Sequence, residues 1–281
     1  MSKTILITGA SAGIGLATAL KFAQNGWIVY AGTRQLERDQ EQYARYDNLH
    51  FREMEVTDPD AIRTVVDEIK REQKQLDVLF CNAGIGYLRA LGQAPMQEIE
   101  HIFDTNVFGV MHTIQAALPM MQKAGHGHII ATSSVGGLVG QPMNEIYCAS
   151  KFAIEGLFES LATYYKPFFN IDVTLLEPGA IATNFTQSVL GHVASTGGIP
   201  EDEYKPIIDQ YTKSFLSRNA EPQSADAVAE VMWELVAMEE KPLRIRTSER
   251  AEQFAHYKTQ NDPTGLDGVR GIRKLQLGIE D

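Results

Sequence analysis

Short runs of β-branched and apolar residues recur along this chain, and the segments between them return apolar residues at helical spacing. The runs Thr4–Thr8, Trp27–Gly32, Leu49–Val56, Leu76–Cys81, His128–Ser133, Ile171–Glu177 and Leu243–Thr247 read as strands. Leu16–Gln24, Asp60–Glu72, Ile99–Met121, Tyr147–Tyr165 and Ala225–Met238 read as helices. Asp58-Pro59-Asp60 supplies an N-cap and a proline at the first helical position. Strands alternating with helices predict βαβ units, so the expected fold is α/β, one doubly wound parallel sheet covered by helices on both faces. With no repeat of fixed period and no low-complexity linker, residues 1–281 are expected to form a single domain. Two stretches break the alternation. Residues 185–220, after the sixth strand, are expected to form a lid at the carboxyl end of the sheet, where ligands of open α/β folds bind. Residues 250–281 form a polar C-terminal extension.

The net charge of −11 gives no electrostatic reason to bind nucleic acid or anionic membrane. No uninterrupted apolar stretch approaches the ~18 residues of a membrane span. The N-terminus runs from Met1 through Ile5-Leu6-Ile7 into a glycine-rich turn, with no room for a secretion signal. The two cysteines, Cys81 and Cys148, sit in small or apolar runs and read as buried thiols of a reducing compartment. A cytoplasmic protein is therefore expected. Seven histidines include His126 and His128, which precede a strand without further ligands at metal spacing, so no metal site is expected. Arg244, Arg246, Arg250, Arg270, Arg273 and Lys274 read as a solvated basic face.

Thr8-Gly-Ala-Ser-Ala-Gly-Ile-Gly15 joins the first strand to the first helix. Gly9 can form the tight turn, Gly13 lets backbone approach a pyrophosphate, and Gly15 permits close packing of helix on strand. The helix N-terminus adds N–H groups and a positive dipole. A dinucleotide is the expected ligand. NAD sites place an acid at the end of the second strand, whereas NADP sites use an arginine for the 2′-phosphate. Here Ala31-Gly32-Thr33-Arg34 offers Arg34, which favours NADP(H) over NAD(H). Tyr147 and Lys151 lie one helical turn apart. A phenol titrating near ~10 is pulled down by an adjacent cation, so the pair can be a tuned acid/base; on many helices such a pair is only an amphipathic side chain beside a surface lysine.

With the glycine turn, Asn82-Ala83-Gly84, Asn106, Ser134 and Tyr147-x-x-x-Lys151 in order, the chain resembles the short-chain dehydrogenase/reductase family, whose fold is Rossmann-type. The run from Ser134 to Leu157 and the segment Asn261–Gly265 look most like estradiol-type 17β-hydroxysteroid dehydrogenases and retinol dehydrogenases. The resemblance implies Tyr147 as general acid/base and Ser134, rather than Ser133, as the group bonding the substrate oxygen. It implies Lys151 as the residue that depresses the Tyr147 pKa and holds the nicotinamide ribose, and Asn106 as the keeper of a water-linked proton path. Cofactor contacts would come from Gly9, Ser11, Gly13, Ile14, Gly15, Arg34, Asn82, Ala83 and Gly84. Others would come from Pro178, Gly179, Ile181 and Thr183 after the sixth strand. The family's Asp-Val adenine contact maps to Glu55-Val56, and Ala12 stands where many NADP-dependent members carry a basic residue. The implied function is hydride transfer between NADP(H) and a ketone, secondary alcohol or aldehyde, lipophilic and steroid- or retinoid-like. Reduction of small polar ketones or acyl thioesters is the alternative within enzymes, and a non-catalytic cofactor sensor is the alternative outside them. A small-molecule substrate and a homodimer or homotetramer are implied.

Overall fold

The computed structural model describes residues 2–216 and 221–267, together with Arg270 and Lys274. Its strands are β1 (Thr4–Ile7), β2 (Ile28–Thr33), β3 (Leu49–Glu53), β4 (Val78–Cys81), β5 (Gly127–Thr132), β6 (Ile171–Glu177), β7 (Ile181–Ala182), β8 (Gln223–Ser224) and β9 (Arg244–Arg246). The helices are α1 (Gly13–Gln24), α2 (Leu36–Gln42), α3 (Pro59–Glu72), α4 (Met96–Phe103), α5 (Gly109–Ala124) and α6 (Glu145–Ala162). They continue with α7 (Tyr165–Phe169), α8 (Phe185–Ser195), α9 (Lys205–Leu216), α10 (Ala225–Ala237) and α11 (Glu249–Thr259).

Seven strands form one parallel sheet in the order β3-β2-β1-β4-β5-β6-β9. The chain winds outward from β1 through β2 to β3, then crosses back and winds the other way from β4. The order therefore reverses between β1 and β4, where the carboxyl ends of the strands leave a crevice. Alternate residues of each strand build two separate cores. Leu6, Leu79, Ile129 and Leu175 face α3, α5 and α6, meeting Ile62, Val66, Ile114, Met121, Ile154 and Phe158. Ile5, Ile7, Val78, Phe80, Ile130 and Leu176 face α1 and α10, meeting Phe22, Val228, Met232 and Leu235. Burial on both faces explains why the strands are apolar at consecutive positions, each such side chain contributing ~1.5–3 kcal/mol.

The expected strands all form, with β9 in place of the longer run Leu243–Thr247. The third strand ends at Glu53 rather than Val56, because after Met54 bonds the Thr33 carbonyl the backbone turns away. The expected helix Ile99–Met121 is two helices, α4 and α5, joined by a π-helical turn over Asp104–Phe108. Two contacts hold that turn. Asn106 bonds the backbone of Ile85, and Gly109 lies so close to Val56 that a β-carbon there would sit 2.8 Å from its Cγ2. Helices α2, α7, α8, α9 and α11 are additions to the expected set.

Between β6 and β9 the excursion carrying α8 and α9 is closed at its base by β7 and β8, two-residue strands that pair Ile181 with Gln223 and Ala182 with Ser224. Residues 217–220 of the expected lid lie outside the described residues, as does most of the C-terminal extension beyond Asp267.

Asp58 caps α3 as expected, its Oδ1 accepting from Asp60 N at 2.9 Å and Ala61 N at 3.3 Å. Asp58→Ala is expected to lower unfolding stability by about 1 kcal/mol in a urea titration while leaving dinucleotide affinity unchanged.

Candidate active site

The glycine turn sits at the crevice. Gly9 and Gly13 take left-handed φ of 64° and 56°, and Gly15 is buried where a β-carbon would strike the Gly9 carbonyl and the Asn82 amide. Ala12 provides no side-chain cap for α1 and no acid stands in its first turn, so the positive helix end is left to an anionic ligand. Ser11 and Ile14 lie in the same turn. Thr183, just past β7, leans over it, its methyl 3.1 Å from where a Gly13 β-carbon would be. Asn82 braces the turn rather than facing outward: its amide donates to Thr8 O at 3.2 Å and Gly9 O at 3.1 Å and accepts from Thr132 Oγ1 at 3.1 Å. Ala83 packs against Gly9, and Gly84 lies beside Lys151, with a β-carbon there 3.4 Å from Nζ.

No acid stands in Ala31–Arg34 at the end of β2, but α2 brings one close to it. Asp39 of α2 is buried there, accepting from Thr33 Oγ1 at 2.5 Å and from Arg38 Nε at 2.8 Å. Both of its oxygens accept hydrogen bonds from protein groups. Arg34 is exposed, 3.5 Å from Glu55, while Arg38 donates to the Ser11 carbonyl at 3.3 Å. Arg38 thus brings a second cation beside Ala12. Val56 is buried, leaving only its backbone to meet a cofactor, and Glu55 is occupied near Arg34.

Tyr147 and Lys151 lie on α6 as the spacing predicts, and Ser134 follows β5 at the start of a short 3-10 turn. The Ser134 hydroxyl accepts from Gly136 N at 3.0 Å and is near enough to the Tyr147 phenol to favour its charged form; Ser133 instead donates to Glu155. Lys151 donates to the Thr132 carbonyl at 2.8 Å and stands 5.8 Å from the Tyr147 ring centroid. The expected depression of the Tyr147 pKa is reversed. Desolvation pushes the phenol up to about 12, opposed by the nearby Ser134, and burial brings Lys151 down to about 8, opposed by Glu155. Asn106 is held on three sides: it accepts from Ile85 N at 2.8 Å and donates to Ile85 O and Ser150 Oγ. Pro178 receives the Val135 N–H, Gly179 rests against Ala251, and Ile181 opens the excursion.

Helices α8 and α9 cover this end of the sheet. Phe185 meets Tyr147 edge-on at 5.9 Å, and Phe185 and Val189 fill the space over Gly86. An apolar slot under the two helices is lined by Leu88, Met143, Val193, Ile199, Ile208 and Tyr211. Cys148 and Cys81 are buried, and burial pushes both thiols up, which makes them inert. Among the described residues there is no group of three metal-capable side chains, and no helix is long and apolar enough to cross a membrane.

The expected solvated face at the C-terminus is corrected for two of its members. The Arg244 and Arg246 side chains are only 11% and 6% exposed, because β9 turns them back onto Glu155, Glu177 and Glu252. Burial, then repulsion from Glu155, pushes the Glu177 carboxyl up, opposed by Arg246 and Arg244. Arg270 pairs with Glu240, and Arg273 lies outside the described residues. The segment Asn261–Gly265 packs on this edge, Thr264 O accepting from Arg244 N at 3.1 Å.

A family model described as short chain dehydrogenase matches residues 3–193. The chain belongs to the short-chain dehydrogenase family. Human (Homo sapiens) 17-beta-hydroxysteroid dehydrogenase type 1 is 33% identical over 292 residues, covering 99% of this chain and 87% of the relative. Retinol dehydrogenase 8 of Bos taurus is 34% identical over 280 residues, covering 95% and 88%. The crystal structure of a short-chain dehydrogenase from Streptomyces avermitilis superposes with a TM-score of 0.80 at 27% identity, covering 99% of each chain. The short-chain dehydrogenase family binds a nicotinamide cofactor, and this chain is an oxidoreductase of alcohols and carbonyls.

The Lys151 ammonium is 4% exposed, and its folded pKa near 8 lies below the ordinary 10.5. The charged form is therefore disfavoured by folding, by on the order of 3 kcal/mol, a penalty present in full below pH about 8 and relieved as pH rises toward the unfolded value. Lys151→Met is expected to raise the coenzyme-free Tm by several degrees at pH 7, with the difference closing near pH 10, measured by calorimetry.

Proposed function

We propose that this chain is an NADP(H)-dependent carbonyl reductase and alcohol dehydrogenase acting on lipophilic, steroid- or retinoid-like substrates. The observation that carries it is the glycine turn and the Ser134, Tyr147 and Lys151 side chains at one end of the sheet, beneath an apolar cover in which Phe185 of α8 packs on Tyr147. The left-handed glycines and the uncapped start of α1 fit a pyrophosphate. Gly9, Ser11, Gly13, Ile14 and Gly15 are proposed to cradle it, Arg34 and Arg38 the adenosine phosphate, and Lys151, Gly84, Ile181 and Thr183 the nicotinamide half. Pro178 and Gly179 shape that last segment.

When bound, the nicotinamide supplies or accepts the hydride. Reduction builds negative charge on the substrate oxygen, which needs a placed donor and a proton. Ser134 is proposed to bond that oxygen and Tyr147 to deliver its proton. A phenol held near 12 is protonated at neutral pH and so carries the proton that a developing alkoxide would take. Lys151 is proposed to stabilise the phenolate left behind, and Asn106 to hold Ile85 and α6 in register. We propose that the 185–220 excursion is the lid, since Phe185 lies on Tyr147. A homodimer or homotetramer through α5 and α6 is proposed, with Phe108 and Phe152 exposed there at 47% and 39%.

Tyr147→Phe is expected to lower turnover by about 10³-fold, the share of a positioned acid, while NADPH binding measured by fluorescence persists. Arg34→Ala and Arg38→Ala are each expected to raise the NADPH Kd about tenfold, ~1.4 kcal/mol, and leave the NADH Kd alone. Assay of estrone, all-trans-retinal and acetone with both coenzymes, followed by reduced-nicotinamide absorbance, tests the substrate class. Equal or better turnover with NADH, or preference for acetone, overturns the proposal.

A further inference from the structure

The end of α8 remote from Tyr147 is held by a polar cluster that the chemistry above does not use. Its centre is one carboxylate oxygen. Glu98 Oε2, on α4, accepts from the Tyr87 hydroxyl at 2.7 Å, lies 3.4 Å from His192 Nε2 of α8, and stands 3.8 Å from Arg89 Nε. Arg89 carries the connection onward, its Nη2 donating to Thr196 O at 3.0 Å and to Thr196 Oγ1 at 2.5 Å. A guanidinium therefore sits at the C-terminal end of α8, where carbonyls lack helical partners and the dipole is negative. The Arg89 side chain is 9% exposed, so its charge requires the carboxylate that Glu98 supplies. Tyr87, 1% exposed, packs with Ile102, Ile146 and Tyr147 and meets the His192 ring at a tilt, 5.9 Å between centroids.

We infer that Glu98 is a positioning residue that docks α8 over Tyr147, acting through His192 from the helix side and through Tyr87 and Arg89 from the body. The near end of α8 is packed by Phe185 and Val189 on Gly86; the far end depends on this oxygen. Loss of the carboxylate leaves a buried cation and a buried phenol unpaired, and α8 lifts so that water reaches them. The consequence for turnover rests on the proposal that α8 roofs the substrate site.

The test compares full-length wild type with Glu98→Ala, Glu98→Gln and His192→Ala. Hydrogen exchange is read on the Phe185–Ser195 amides, and steady-state kinetics use NADPH with estrone and all-trans-retinal. In Glu98→Ala the α8 amides are expected to exchange about tenfold faster, the change for one lost charge-assisted hydrogen bond, with α6 amides unchanged. KM for the reduced probe rises by a similar factor while kcat and the NADPH Kd hold. Glu98→Gln, which keeps an acceptor for Tyr87, recovers part of both. If Glu98→Ala fails to fold, His192→Ala, at a half-buried side chain of α8 itself, is expected to give the same exchange signature at smaller size. Unchanged α8 exchange in the folded variants, or a loss confined to kcat, overturns the inference. Faster α8 exchange with no wild-type reduction of either probe supports the docking role and sinks the substrate-class proposal instead.

Discussion

A single amide side chain ties together the strand ends on which the site is built. Asn82, just past β4, bonds the carbonyls of Thr8 and Gly9 beyond β1 and receives the Thr132 hydroxyl from β5. Thr8 returns the bond, its hydroxyl accepting from Asn82 N and Ala83 N at 3.0 and 2.9 Å. Thr132 in turn presents the carbonyl that receives Lys151. The glycine turn, the crossover at the middle of the sheet and the Lys151 ammonium are thereby set by one connected set of hydrogen bonds. Because these groups lie at the strand ends, where ladder partners run out, their mutual satisfaction is what lets the crevice be open without unpaired backbone.

The electrostatics of the crevice run opposite to those of a relaxed surface. Tyr147 and Lys151 are both held toward their neutral forms by desolvation. A group of this kind is costly to the fold and useful to the chemistry, because small changes in neighbouring charge then move it far. The sheet edge shows the other resolution of the same problem. Arg244 and Arg246 are buried too, but among carboxylates of α6, β6 and α11, so their charge is matched.

Much of this was legible from residue order. Parallel strands covered on both faces are continuous apolar runs, and the glycine turn has a spacing that backbone geometry enforces, so both can be read locally. What escaped was whatever depends on distant segments. The π turn at Asp104–Phe108 does not interrupt helical spacing, so α4 and α5 read as one helix. The seven residues Leu36–Gln42 are almost wholly polar, which hid α2 and with it Asp39 and Arg38. An arginine's burial is not written in its neighbours, so Arg244 and Arg246 looked solvated. Likewise Arg89 and Thr196 are 107 positions apart, and nothing local announces that they meet.

The β7–β8 pair has a consequence for how this fold can change. By joining Ile181–Ala182 to Gln223–Ser224, it closes the base of the excursion independently of what the excursion contains. Closure entropy grows only slowly with loop length, each doubling adding about 0.6 kcal/mol, so the segment between the two short strands can be lengthened, shortened or exchanged at little expense to the sheet. The pair is in effect a socket. A chain built this way can exchange one cassette with the seven-stranded sheet untouched.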